Sequence, residues 1–426
     1  MTAELRDRLK AALHQPSRVS TLPRGDSVTQ LTDLSALGGR WFESRNGPGY
    51  VVESVYEAGF AHGNVVLHRA LTLDSAGLAA QARDPRLAHC PPETFLYVDT
   101  ETTGLGGAGV MVFLAGVARF DGSLLRLRQY LLPAPQFEGG LLGGLAEELA
   151  AAGALVSYNG KSFDLPLLES RYILSRERPT FRQLPHLDLL HPNRRLFKGV
   201  LPSHRLAQVE TSLLGFEREA DCPSAEVPER YFRFARTSDP THILPVLRHN
   251  AWDVLSLVAL AAHLASVCEG AGAPLQAARA AEYAGDFAAA AAQFEAATTA
   301  GPGRAERIEA MEHAARCRRR LGDHAAAAHW WRALLAEPRA RRVTPYVELA
   351  KLLEHQLDDP AAALATVSEA LDLAGRGLLR PGPANAETGI PALGARRDRL
   401  AARMSALQAR RAVVESRRAS RIPQEA

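Results

Sequence analysis

The segment Phe95–Gly104, FLYVDTETTG, sets two carboxylates one residue apart at the end of an apolar, strand-forming run. Side chains two apart on a strand point to one face, so Asp99 and Glu101 project from the same side, about 7 Å apart or less. Two anions so placed repel unless a cation lies between them, and hard carboxylate oxygens favour Mg2+ or Mn2+. The pair is therefore a candidate divalent-metal site. Taken alone, an Asp-x-Glu is also what a solvated strand end before a glycine turn looks like, so its weight comes from acids further along the chain.

Two further motifs supply them. The apolar run ALVSYNG leads into Asn159-Gly160-Lys161-Ser162-Phe163-Asp164, which places Asp164 where a strand end meets a helix start. A lone Asp at such a junction also serves as a helix N-cap. The third motif, His249-Asn250-Ala251-Trp252-Asp253, lies in a helical apolar pattern that continues through Val254, Leu255, Leu257, Val258 and Leu260. His249 and Asp253, four apart, share a helix face, the spacing also of an ordinary His–Asp helical pair. The sum is four carboxylates and one imidazole in the order strand, strand–helix junction, late helix.

This order resembles the DEDD superfamily of 3′→5′ exonucleases, which have a ribonuclease-H-like fold. The Asn-Gly-x-x-Phe-Asp form of the second motif looks like the proofreading domain of family B DNA polymerases. A closer resemblance, from about residue 40 to 265, includes His186-Leu187-Asp188-Leu189-Leu190-His191, Arg194-Arg195-Leu196-Phe197-Lys198, Leu214-Gly215-Phe216, Val227-Pro228 with Tyr231, and the HNAWDVLSL run. Together these are similar to the YprB-type ribonuclease-H-like family, predicted exonucleases that often carry C-terminal tetratricopeptide-like repeats. The resemblance implies that Asp99, Glu101, Asp164 and Asp253 hold two divalent ions, Mg2+ or Mn2+, and that phosphodiester bonds of DNA or RNA are hydrolysed by a two-metal mechanism. It further implies that Thr102, Thr103, Leu105 and Asn159 meet the substrate. In the superfamily a Tyr four residues before the last Asp, or a His five before it, handles the attacking water. Here the residue four before is His249 and the one five before is Arg248. An imidazole can orient or deprotonate a water, or simply pair with Asp253, and both readings stay open. The basic residues Arg194, Arg195 and Lys198, with His204-Arg205, are expected to grip backbone phosphates. Arg195 is alternatively a partner for Asp188, which reads either as an extra acid near the site or as a capping loop residue.

At 426 residues the chain exceeds one ordinary core, and two or three domains are expected. An apolar fraction of 46% and a charged fraction of 23% fit a globular protein. A net charge of +3 permits a polyanionic partner without demanding one. Cys90, Cys222, Cys268 and Cys317 stand singly, without CxxC or zinc spacing, as reduced thiols do. The charged N-terminus and the lack of an apolar run of about 20 residues lead to the expectation of a cytoplasmic protein with no membrane partner. GxSxG is absent, and Gly104-Leu105-Gly106-Gly107 lacks the Lys-Ser/Thr ending of a P-loop.

To position the acids, residues 1–39 read as a helix and linker, and residues 40–268 as an α/β ribonuclease-H-like mixed sheet domain. Its N-terminal extension, 40–90, suggests a small sheet or edge strands in GYVVESVYEAG and NVVLHRALTL. The strands FLYVDTET, MVFLAGVARF and LLRLRQYLL follow, the last two joined by a hairpin at Asp121-Gly122. A helix over 139–152, strand ALVSYNG, helix DLPLLESRYILS and a long helix over 242–267 complete the domain. Residues 273–375 turn Ala-rich and all-α. Asp286, Asp323 and Asp359 recur at 37 and then 36 residues, near the period of about 34 of tetratricopeptide repeats. Such repeats offer a surface to a protein partner, although a packing appendage would show the same pattern. Residues 376–426 read as a linker and an Arg-rich tail, most simply a solvated helix face. A non-catalytic scaffold that binds nucleic acid or protein on a degenerate nuclease fold is the second functional reading.

Overall fold

The computed structural model describes residues 34–104, 109–177, 181–272, 274–300, 303–337, 342–379 and 390–419. The expected N-terminal helix, Leu105 and most of the linker after 376 lie outside the described residues. Nine strands run in chain order: β1 (Arg40–Ser44), β2 (Gly47–Tyr56), β3 (Ala61–His62), β4 (Val65–Val66), β5 (Phe95–Thr102), β6 (Val112–Asp121), β7 (Leu124–Leu131), β8 (Ala154–Ser157) and β9 (His186–Asp188). Seven form one mixed sheet in the order β1-β2-β7-β6-β5-β8-β9, while β3 and β4 make a separate small hairpin. β5 is the hinge of this topology. It pairs antiparallel with β6 on one side and parallel with β8 on the other.

Both faces of the sheet are covered, and the side-chain alternation along β5 shows how. Phe95 and Tyr97 enter one core with the second half of the helix Pro240–Cys268, whereas Leu96 and Val98 enter the other with the helices Glu138–Ala150 and Val227–Thr237. The hairpin expected at Asp121-Gly122 forms there. Asp121 pairs with Leu124, and Gly122 takes the left-handed φ of 58° that a tight two-residue turn requires.

Of the two early segments expected in a small sheet or as edge strands, GYVVESVY lies in a long strand inside the main sheet, between β1 and β7, and Val65–Val66 belongs to the small hairpin. NVVLHRALTL gives two strand residues and then a 3-10 turn, Leu67–Leu71. Leu67 and Ala70, three apart, point together into the core beneath the long helix, and that burial outweighs strand propensity. The long helix starts at Asp239, whose carboxylate accepts the Thr241 N–H, and at Pro240, which has no N–H to leave unpaired. It has the length and apolarity to cross a membrane, contrary to the sequence expectation; here most of that apolar stretch is buried against the sheet.

Beyond it the chain is helical. Three helical hairpins follow: Pro274–Ala284 with Phe287–Ala297, Arg304–Arg320 with His324–Ala336, and Val343–His355 with Pro360–Gly375. The recurring aspartates are their caps, since Asp286, Asp323 and Asp359 each accept the backbone N–H three residues on. The residue before each cap takes a left-handed conformation: Gly285, Gly322 and, in the third hairpin, Asp358. The Arg-rich segment belongs to the helix Ile390–Ala419, with Leu393 and Leu400 buried against the last hairpin and Arg396 bonded to Glu354 at 2.6 Å.

Candidate metal centre

Asp99 and Glu101 continue the alternation of Phe95 and Tyr97, so both leave β5 on the face that the long helix covers. The register with β6 slips between Glu101 and Thr102, ending regular pairing just past the acids. Above them, Asn250 is fully buried and donates from Nδ2 to Asp99 Oδ2 at 2.9 Å. Its own Oδ1 accepts from Gln129 Nε2 of β7 at 2.9 Å. The close approach depends on Gly116 of β6, where a Cβ would lie 2.1 Å from Asn250 Oδ1.

His249 immediately precedes Asn250 in the long helix, and Asp253 stands about one turn on. The His249 ring is buried, with Nε2 3.5 Å from Asp253 Oδ2 and 3.9 Å from Glu101 Oε1. Its other nitrogen, Nδ1, is 2.8 Å from Asp221 Oδ1. One ligand atom each from Glu101, His249 and Asp253 falls within 4.8 Å of the others. Arg218 lies behind this group. Its guanidinium bonds Asp253 Oδ1 and both oxygens of Glu210, at 2.7 and 2.6 Å, and reaches Asp221 Oδ2 at 3.2 Å. Glu210, buried, also accepts from Ser256 at 2.5 Å, and Ser256 in turn meets His62 Nε2 at 2.7 Å. Burial, with the nearby Arg218 charge, depresses His62 to about 4, so this ring is neutral at physiological pH.

Asp164 reaches the site from the other core. It opens the helix Asp164–Leu174, and its Oδ1 accepts from Thr100 Oγ1 of β5. The turn that delivers it is held by Asp188, whose oxygens accept the N–H groups of Asn159 at 2.7 Å, Lys161 at 3.1 Å and Leu190 at 3.2 Å. Asp188 is thus an anchor for backbone, and the alternative partnership with Arg195 is not formed. Asn159 sits at φ 67°, and a Cβ on Gly160 would meet Ser157 Oγ at 2.4 Å.

The electrostatics of the acids are unusual. Burial, then the charges of Asp253, Asp164 and Glu101, push Asp99 well above the ordinary carboxylate range, with the Asn250 bond opposing. Glu101 is raised by burial and by Asp253 and Asp164, against the pull of Arg218. Burial lifts Asp164 to about 6, despite its bond from Thr100. Asp99, Glu101 and Asp164 therefore each sit where the ionised form is disfavoured, first by burial and then by neighbouring acids.

Residues 96–265 match the family model described as RNase_H superfamily. This segment is an RNase_H superfamily domain. Over 170 residues the chain is 42% identical to the "Uncharacterized protein YprB" of Bacillus subtilis (strain 168), covering 39% of this chain and 41% of that protein. The match thus spans about two fifths of that relative's length. Among solved structures, the chain is similar to the family B DNA polymerase from the hyperthermophilic archaeon Pyrobaculum calidifontis, with 17% identity and a TM-score of 0.34, over 47% of this chain and 29% of that one.

Within the RNase_H superfamily domain the remaining expected residues divide. Thr102 and Thr103 follow the acids directly. Thr102 Oγ1 donates to Gly104 O at 2.7 Å, and Thr103 Oγ1 accepts from Met111 N at 2.9 Å, so both shape the strand-end turn. Arg194 and Lys198 are exposed on and just after the helix Leu190–Leu196. Arg195 is committed elsewhere. Its guanidinium stacks 3.4 Å from the ring centroid of Tyr283, in the first helix of the helical region, and bonds Gln81 Oε1 and O at 3.1 and 2.8 Å. The expected phosphate contact is thus replaced at Arg195 by a contact between the two halves of the protein. Conversely, sequence reasoning gave no role to Asn250, Gln129, Gly116, Arg218, Glu210 or Asp221. Asn250 carried a signal, as a polar residue amid an apolar helical run. Arg218 and Asp221 come from a loop without periodicity and carried none.

Proposed function

We propose that the protein is a metal-dependent nuclease, a 3′→5′ exonuclease acting on DNA or RNA. The observation that carries this reading is the gathering of Glu101, His249 and Asp253 within 4.8 Å at the end of β5, with the carboxylates of Asp99 and Asp164 buried close by. A protein that kept these acids only for its fold would be destabilised by their mutual repulsion. The residues fit divalent ions. Asp99 and Asp253 each have one oxygen pinned, by Asn250 and by Arg218, which leaves the other to face the cluster. Two ions held there would supply Lewis-acid charge stabilisation for an in-line displacement at phosphorus. The chain's own residues do the positioning: Asn250 and Thr100 fix the acids, and His249 stands at the edge of the cluster with Nε2 toward Asp253 and Glu101. Exposed Arg194 and Lys198 are the cations available for backbone phosphates.

A second reading, a non-catalytic scaffold, draws on one feature. Arg218 already places a positive charge on Asp253, as a degenerate site would. Digestion of 3′- and 5′-labelled DNA and RNA, single- and double-stranded, with Mg2+ or Mn2+ decides between them. The nuclease reading expects metal-dependent shortening from the 3′ end that Asp99→Asn abolishes. If wild type and Asp99→Asn leave every substrate intact with either metal, the scaffold reading replaces it.

A further inference from the structure

We infer that His249 is itself a metal ligand, so that Glu101, His249 and Asp253 form a mixed oxygen–nitrogen site that selects Mn2+ or Co2+ over Mg2+. The inference deepens the nuclease reading and rests on its premise that the acid cluster binds metal.

The argument begins with the tautomer. Nδ1 lies 2.8 Å from a carboxylate oxygen of Asp221, which accepts and cannot donate, so Nδ1 carries the hydrogen. Arg218 Nη1 lies 3.1 Å from the same nitrogen, but its better acceptor is the Asp221 Oδ2 at 3.2 Å. The guanidinium therefore holds the carboxylate that holds the ring. With Nδ1 turned to Asp221, Nε2 is the nitrogen that faces the two other acids, Asp253 Oδ2 at 3.5 Å and Glu101 Oε1 at 3.9 Å. Neither is within the roughly 2.7–3.2 Å of a good N–H···O bond. Both are what an ion demands: at bond lengths of about 2.1 Å, neighbouring donors of an octahedron stand roughly 3 Å apart and opposite ones roughly 4 Å.

The ring has little freedom to leave, because only 9% of its side-chain surface is exposed. Asp253 is likewise prepared, with Oδ1 bonded by Arg218 and Oδ2 turned to the imidazole. An imidazole whose far nitrogen donates to a carboxylate is the arrangement that orients metal-binding histidines and raises their basicity. Imidazole suits transition metals, whereas Mg2+ takes oxygen ligands and keeps its waters. Arg218 completes the logic by offsetting one negative charge of Asp253 while leaving a donor atom on it. Asp221 and Arg218 are then positioning residues that act through His249.

Mn2+ and Mg2+ binding to the full chain, without nucleic acid, tests this. Titration calorimetry gives the affinities, and pulsed electron paramagnetic resonance reads nitrogen coupling on bound Mn2+. The expected result is a 14N imidazole signal in wild type that is lost in His249→Gln. That variant should weaken Mn2+ by about 10- to 100-fold with Mg2+ little changed, and Asp221→Asn should weaken Mn2+ by about 10-fold with the signal retained. The wild-type spectrum needs no variant to fold. Mn2+ that binds in a Glu101-dependent way without nitrogen coupling overturns the inference and leaves the nuclease reading standing. No Glu101-dependent Mn2+ at all removes both.

Discussion

Two acid-rich regions of this molecule treat negative charge in opposite ways. In the helical half, partly and fully buried glutamates are given arginines. Glu295 accepts two bonds of 2.7 Å from Arg318 and one of 3.0 Å from Trp330, and the Arg318 bond holds it below its ordinary range. Glu309 takes Arg279 with two bonds of 2.8 Å, and Glu354 takes Arg396. At the end of β5, by contrast, Arg218 bonds Asp253 together with Glu210 and Asp221, while Asp99, Glu101 and Asp164 have no arginine bonded to them among the described residues. The contrast separates acids that serve architecture from acids kept short of counter-charge. Shortage of counter-charge, more than acidity as such, is what distinguishes the second group.

The sharpest way to break the comparison is to neutralise one acid in each region. Glu101→Gln is expected to reduce metal-dependent cleavage by at least about 10²-fold while metal-free thermal stability holds or rises, because a repelled carboxylate is gone. Glu295→Gln should leave cleavage intact and cost on the order of 1 kcal/mol, read from the unfolding midpoint. The opposite pattern of stabilities would erase the distinction.

A second test uses pH. Asp164 is lifted from 3.8 to about 6, so the folded protein keeps a proton that the unfolded chain releases. This contribution is full below the ordinary carboxylate value and is lost as pH rises through about 6. Two histidines, His62 and His186, are buried and depressed to about 4, and they shift stability the other way over much of the same range. The readout is therefore a difference. In chelator, Asp164→Asn should gain on wild type between pH 4 and pH 7, by on the order of 2 kcal/mol, in urea unfolding. A constant difference across that range would mean that Asp164 is not crowded.

Smaller effects sharpen the boundary between the regions. Arg195→Ala should lose about 1–2 kcal/mol of stability, through its stack on Tyr283, and leave the salt dependence of oligonucleotide binding alone. Lys198→Ala should do the reverse, lowering the slope of log affinity against log salt by about one. Smallest of all, Asp358→Gly is expected to stabilise by about 0.5–1 kcal/mol. It would restore glycine at a φ of 46° where the first two hairpins carry Gly285 and Gly322, and the exposed pair with Arg403 that it removes contributes little.

Much of this arrangement was legible in the chain because it is locally encoded. The two-residue period of FLYVDTET places Asp99 and Glu101 on one face, and the 3.6-residue period around HNAWDVLSL turns His249 and Asp253 to the same side. The mixed sheet and its hairpin followed from alternation and from Asp121-Gly122. What was illegible is held by contacts distant in sequence. Nothing near Arg218 announces that it meets Asp253, and nothing near Arg195 announces Tyr283. Both are arginines on irregular or amphipathic stretches, where charge by itself defaults to solvent or phosphate. Asp188 was ambiguous for a related reason: its work is to receive backbone N–H groups, which no side-chain pattern records.

The first helix of the helical half, Pro274–Ala284, belongs to two interiors at once. Leu275 and Ala278 lie in the helical core, while Ala280 lies in the core beneath the long helix, where its carbonyl accepts from Gln81 at 3.1 Å and Arg279 donates to Leu196 O at 2.6 Å. A chain severed after Cys268 would uncover an apolar seam and strand the Gln81 amide and the Leu196 carbonyl without mates. The sheet domain and its helical arm are thus a single casting, and the arm stands at a fixed bearing to the acids.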